Sequence, residues 1–177
     1  MAATYTVTAQ GVALPTTAAA KTLLSVFNLD ATQKLNITRV WVQNTGIAAV
    51  TPAYQVLSLG RHTTDQTTGA TTVTPLKHDT NSSNLTNATA KHSPTTSVTL
   101  IDTFRQISWS GDEFATGVAK IENLQTLPQF ALIWESGYGD TNIEPIVLNQ
   151  NEGLAVTSAG VASGVGTVDV VFELYAS

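Results

Sequence analysis

The amino-acid sequence predicts an all-β domain, a β-sandwich of jelly-roll type carrying one long polar loop or arm. Three observations point there: apolar residues that alternate with a period of two, clusters of Gly and Asn between those runs, and hardly any helix signal. The last run is the clearest. In 165–175, Val168, Val170, Phe172 and Leu174 are apolar while Thr167, Asp169 and Glu173 occupy the alternate positions, as in a strand with one buried face. Tyr5, Val7 and Ala9 alternate in the same way with Thr4, Thr6 and Thr8, and Phe130, Leu132 and Trp134 mark a further strand whose spacing assigns Trp134 to the core. Additional strands are expected at 21–28, 35–43, 54–61, 97–104, 143–148 and 153–158, eight or nine in all.

Asn44-Thr45-Gly46, Ser110-Gly111-Asp112, 136–140 and 149–153 read as turns, because Gly and Asn tolerate the positive φ that tight turns need. Only 112–125 could hold a short helix, and Gly117, Val118 and Ile121 argue against it. Many strands with frequent turns lead to a β-sandwich or barrel, with the jelly roll of two Greek keys as the preferred form. At 177 residues the chain suits a single core, so 1–177 is read as one domain. The segment 62–96 breaks the pattern: it is polar, with Val73, Leu76 and Leu85 as its bulky aliphatic anchors. Loops of that length are uncommon in compact domains. It is therefore expected to project as a loop or arm, with a short strand at 71–77, and to become ordered against another chain.

Charged residues make up 12% of the chain, about half the usual ~25%, and Thr, Ser, Asn and Gln take their place. A net charge of −5 without any basic run argues against nucleic acid and anionic membranes as partners, since binding a polyanion needs clustered Lys and Arg. With zero cysteines, disulfides and thiolate metal sites are excluded. The N-terminus lacks the features of a secretory signal and no apolar run reaches membrane-spanning length, so folding in a cytoplasm is the expectation. The sequons at Asn36, Asn81, Asn84 and Asn87 follow from a Thr- and Asn-rich composition.

His62, His78 and His92, with Asp65 and Asp79 near them, are spaced at intervals of sixteen and fourteen, which match no zinc pattern. They are expected to be solvated loop histidines, and no metal or cofactor is assigned. No G-x-S-x-G elbow or phosphate-binding Gly loop is present. Glu135, Glu144, Asp169 and Glu173 lie on or beside expected strands, where β-sandwich glycosidases pair two acids, but nothing singles out a pair and no catalytic residue is assigned. Trp41, Trp109 and Trp134 with Tyr138 suit either a sugar-stacking platform or a core or subunit interface. Trp41 shares its expected face with Leu35, Ile37 and Arg39, which implies partial burial.

The succession LNITRVW at 35–41, VTPLKHD at 73–79, LIWESGYGD at 132–140, EPIVL at 144–148 and GTVDVVFE at 166–173 resembles small structural proteins of tailed bacteriophages. The resemblance implies a virion component made in the host cytoplasm, most concretely a capsid decoration or cement protein that forms a homo-oligomer, a trimer by preference, and bridges subunits of the major capsid protein. It carries over no residue-level binding site. Self-association has independent support, because a weakly charged surface rich in Thr and Ala desolvates cheaply. The other readings are a tail or fibre module, a carbohydrate-binding receptor module and, last, a β-sandwich hydrolase.

Overall fold

The structure, a computed structural model, describes residues 3–47, 53–111, 130–137, 143–161 and 166–177. Twelve strands run through them: β1 (Thr4–Ala13), β2 (Lys21–Asn28), β3 (Leu35–Ile47), β4 (Ala53–His62), β5 (Thr71–Thr72), β6 (Leu76–Lys77), β7 (Ala88–His92), β8 (Asp102–Gly111), β9 (Phe130–Glu135), β10 (Ile146–Leu148), β11 (Glu152–Val161) and β12 (Gly166–Ala176). No helix occurs among the described residues, and the candidate at 112–125 lies outside them.

Two antiparallel sheets result. One has the order β10-β3-β12-β1-β6, with β9 pairing β3 on the edge that β10 also uses; the other has the order β5-β7-β2-β11-β4-β8. Setting aside the three short strands β5 to β7, the orders β1-β12-β3-β9/β10 and β2-β11-β4-β8 are those of an eight-stranded jelly roll built from two Greek keys. The expected fold class is therefore observed. The alternation in β12 places Val168, Val170, Phe172 and Leu174 between the sheets at 0–1% exposure. Burying each of the larger side chains contributes about 2 kcal/mol. On β1, Tyr5, Val7 and Ala9 join the same core.

Over β2 and β11 the second sheet is covered on its outer face too, so these two strands are buried almost throughout. Small residues let loops approach there. A Cβ on Gly153 would overlap Phe27 and the His62 ring, and one on Gly160 would overlap the Pro15 carbonyl. The polar side chains buried on this face are hydrogen-bonded: Ser158 donates to Gln55 Oε1 (2.6 Å), and Gln55 Nε2 donates to the Pro15 carbonyl (3.1 Å).

The segment 62–96 is the long polar stretch expected, but it folds back onto its own domain instead of projecting. It is an insertion between β4 and β8, neighbours in one sheet. Its strands close both sheets on one side: β7 pairs β2, β5 pairs β7, and β6 pairs β1. The expected strand at 71–77 is split, β5 going to one sheet and β6 to the other. Val73 and Leu85 pack against the core and Ala90 is buried within it, whereas Leu76 is 64% exposed. Backbone pairing supplies what the few apolar anchors do not, with Val73 N–H donating to Ala90 O (2.8 Å), His78 N–H to Thr4 O (3.0 Å) and Leu29 N–H to Asn87 O (2.7 Å). Asp65 adds a polar clamp, accepting from Thr89 Oγ1 (2.8 Å) and pairing with Lys91 Nζ (2.8 Å).

Three expected boundaries move. The strand expected at 97–104 begins at Asp102; before it, Thr22 N–H donates to Ser97 Oγ and Val98 N–H donates to Thr22 Oγ1, side-chain bonds standing in for a ladder. The strand expected from 143 begins at Ile146. Asn44-Thr45-Gly46 is no turn: β3 continues through it to Ile47, with a register shift opposite Thr167 and Val168 that leaves Thr45 as a bulge.

Candidate functional site

Two more bulges shape the surface of the β3/β9 region. β3 pairs Ile37 with Leu174 but Arg39 with Glu173, so Thr38 is the extra residue and the inward–outward pattern reverses across it. Leu35 and Ile37 stay in the core, whereas Arg39, Trp41 and Gln43 alternate with the buried Val40 and Val42 and so face outward. In β9, Leu132 opposes Trp41 and Trp134 opposes Val40, which makes Ile133 the extra residue. Ile133 is fully buried, while Phe130 and Leu132 are 58% and 37% exposed. This corrects the expected common face of Phe130, Leu132 and Trp134: Trp134 packs partly buried against the core as anticipated, and its two sequence partners point to solvent.

The outer face of the first sheet therefore grades from the threonines of β1 to an aromatic groove at β9. Arg39, Trp41, Phe130, Leu132 and Glu135 line this shallow groove of about 380 Å³. Trp41 and Phe130 lie with ring centroids 6.3 Å apart, tilted by 41°. Arg39 closes one end. Its Nε donates to Glu135 Oε1 (2.8 Å), its Nη2 pairs with the same carboxylate, and Nη1 is 3.4 Å from Glu173 Oε2. The hydrogen bond to Glu135, and then the charges of both acids, hold the guanidinium pKa above its ordinary value. Two carboxylates against one guanidinium leave this end negative by one charge. Of the four acids considered from the sequence, Glu135 and Glu173 thus converge, but on Arg39; Asp169 accepts from Gly11 N–H (2.8 Å), and Glu144 is exposed.

Around the corner lies the mouth between the edge strands β8 and β9. Phe104 and Trp134 bridge them at 6.3 Å, and the Arg61 guanidinium sits 5.2 Å from the Phe104 centroid, within cation–π range. Arg61 Nη2 donates to Val147 O (2.9 Å), while Arg61 Nε and Trp134 Nε1 are buried without an acceptor. Ile101 and Phe104 are 57% and 39% exposed, and Arg105 beside them is exposed with no ion pair among the described residues. Every arginine and every tryptophan of the chain falls on β3, β4, β8 or β9, the two outermost strands of each sheet on this side, and no lysine does. The Trp109 side chain and Tyr138 lie outside the described residues.

The histidines do not converge. His62, expected in a solvated loop, ends β4 and is fully buried. Its Nδ1 faces the Thr64 carbonyl (3.0 Å), so Nδ1 carries the proton and Nε2 accepts from Ser25 Oγ (2.8 Å). The Ser–His pair is sealed under Phe27, whose ring lies 5.6 Å away, and substrate has no access to it. Burial pushes the His62 pKa down. His78 Nε2 lies 2.6 Å from Thr6 Oγ1, and His92 lies on β7, where burial also lowers its pKa. Among the described residues no group of three His, Cys, Asp or Glu could hold a metal ion. A second groove, of about 790 Å³, is polar and lined by Tyr5, Gln33, Asp79, Asn81 and neighbours; the Tyr5 hydroxyl is already engaged, donating to Ser83 O (2.9 Å).

No protein family, curated protein or solved structure matches the chain.

Proposed function

We propose that this protein is a structural subunit that acts by binding other protein surfaces, most concretely as a decoration or cement protein that self-associates and bridges neighbouring capsid subunits on a tailed-phage head. One observation carries the assembly part of this reading. The jelly roll is sealed on one side by its own insertion, and on the other side, among the described residues, it presents Phe104, Phe130, Leu132 and Trp41 with all three arginines of the chain. Aromatic residues and arginine are enriched, and lysine depleted, at interface centres, and clustered exposed apolar side chains mark interaction sites. The capsid as partner rests on the sequence resemblance. Purified particles tested by mass spectrometry decide it: the reading expects the protein at stoichiometric copy number, and its absence from particles refutes the decoration role.

The groove itself favours a second reading, a carbohydrate-binding module, because Trp41 and Phe130 offer ring faces beside the hydrogen-bonding Arg39 and Glu135. Glycan-array binding that is lost in Trp41→Ala would replace the first reading with this one.

A further inference from the structure

Besides pairing with edges, the insertion crosses the outer face of the second sheet. His62 ends β4, yet three residues later Asp65 is bonded to Thr89 and Lys91 on β7, and in the order β7-β2-β11-β4 that path runs over β11 and β2. Gly153 gives it room, since a Cβ there would overlap the His62 ring. The returning segment lies alongside. Thr95 N–H donates to Thr68 O (3.2 Å), the Gln66 amide donates to Thr96 O and accepts from Val98 N–H (3.2 Å), and Val98 N–H also reaches Thr22 Oγ1 on β2 (2.9 Å). Residues 63–70 and 93–98 thus form a strap without a strand of its own, in which Gln66, Pro94 and Val98 are buried and most of the rest is exposed. Beneath it, Ser25, Phe27 and His62 are buried on the outer face, although Leu24 and Val26, which alternate with the first two, are the ones that fill the core.

We propose that this strap is an acid-released latch: protonation of His62 lifts residues 63–70 and 93–98 off β2 and β11 while the two sheets stay folded. The closed geometry has no place for a second proton on the ring. Nδ1 already donates to Thr64 O of the strap (3.0 Å), and Nε2 accepts from Ser25 Oγ (2.8 Å), so protonation at Nε2 would turn that acceptor into a donor and displace the Ser25 hydroxyl. The new charge would also lack a free counter-ion. Among the described residues, the strap brings Asp65 near, but its carboxylate is already shared by Lys91 Nζ (2.8 Å) and Thr89 Oγ1 (2.8 Å), and Lys91, opposite Ser25 on β7, is a like charge. β2 presents Ser25 and Phe27, and β11 presents Gly153. Glu152 is turned to Asn149 N–H (2.8 Å), and Arg61 to Val147 O of the other sheet (2.9 Å). Burial pushes the His62 pKa down, so closure of the strap is at full strength above about pH 6.5 and weakens as pH falls toward the lowered value of the closed state. Opening is local because the strap is joined to the sheets by few backbone bonds, whereas β2, β11 and β4 are paired along their length. His92 also has a lowered pKa, but it opposes the core residue Leu24 and so lies on the other face of β7.

Hydrogen–deuterium exchange of the wild-type chain, followed by mass spectrometry at pH 7.5 and 5.0, tests the latch when each rate is divided by that of the unstructured chain at the same pH. Protection of 63–70 and 93–98 should fall by about three- to thirtyfold, the upper figure being the limit for one proton over this range, while β11 and β12 keep theirs. Unchanged protection of the strap overturns the proposal. An equal loss in β11 and β12 overturns it as well, because acid then unfolds the domain as a whole. His62→Gln, checked for a cooperative melt at pH 7.5, should protect the strap equally at both pH values, and a fall as large as that of the wild type would assign the effect to another group and overturn the latch. Should that variant not fold, the wild-type ring decides. The NMR titration of His62 Cε1–H must share its midpoint with the loss of strap protection; a ring that titrates under a closed strap, or a strap that opens over a neutral ring, contradicts the proposal.

Discussion

The two sides of the sandwich meet the same problem in opposite ways. On one side the edges of β1 and β2 would present unpaired N–H and C=O groups, a template for uncontrolled association. There the insertion supplies β6 to one edge and β7 with β5 to the other, and Lys77 and Lys91 sit on the covering strands. On the other side β8 and β9/β10 end their sheets among the described residues, and exposed aromatic side chains and arginines take the place of lysine. The chain covers one pair of edges with its own backbone, and the other pair, uncovered among the described residues, is the one that we propose a partner covers. The closed side should thus govern stability, and the open side should govern assembly.

The largest expected effect lies on the closed side. Replacing 66–91 by a short Gly/Ser linker removes β5 to β7 and uncovers two edges and part of the core, so the product should lose its cooperative melt and aggregate. A folded, soluble product would show instead that the insertion is an accessory. Ala90→Asp tests the same side with one atom group: an uncompensated charge in the core should cost about 3–5 kcal/mol in denaturant unfolding. His62→Ala follows at about 3 kcal/mol, since it opens a cavity and strands the Ser25 hydroxyl.

A smaller effect is set by pH. Burial holds His62 neutral in the fold, whereas the unfolded chain takes up a proton near its ordinary pKa of about 6.5. Below that value the unfolded state binds more protons, so stability is full above about pH 6.5 and declines as pH falls, by at most about 1.4 kcal/mol per pH unit for one group. His62→Gln, which cannot titrate, should flatten this part of the pH–stability curve; an unchanged slope would assign it to other groups. The smallest effect on stability belongs to the open side, where Phe130→Ser should stay within about 0.5 kcal/mol of wild type.

The strands with one clean buried face were legible in the sequence. β1, β4 and β12 alternate over most of their length, and β2 reads as an apolar run, so their positions and the all-β class follow from the pattern. The insertion was not legible, because Ala88 and Ala90 are the only apolar residues of β7 and its stability comes from backbone pairing that composition does not report. The groove was hidden for a different reason. Each bulge, at Thr38 and at Ile133, adds one residue and reverses the faces beyond it, so strict alternation carries Trp41 inward with Ile37 and puts Phe130 and Leu132 in the core. Trp41 and Arg39 could be singled out as an odd pair on a core face, but the direction in which they point depends on a register that only the paired strands define.

Leu76 and Phe130 offer a matched test of the whole account, because they are similarly exposed, at 64% and 58%, on opposite sides of the molecule. Sedimentation equilibrium of Leu76→Ser and Phe130→Ser at equal concentration, with melting temperatures recorded in parallel, isolates the assembly surface from any effect on folding. Both variants should melt with the wild type, Leu76→Ser should keep the wild-type mass, and Phe130→Ser should shift toward monomer. A Leu76→Ser variant that dissociates while Phe130→Ser remains associated would contradict the account and move the interface to the insertion.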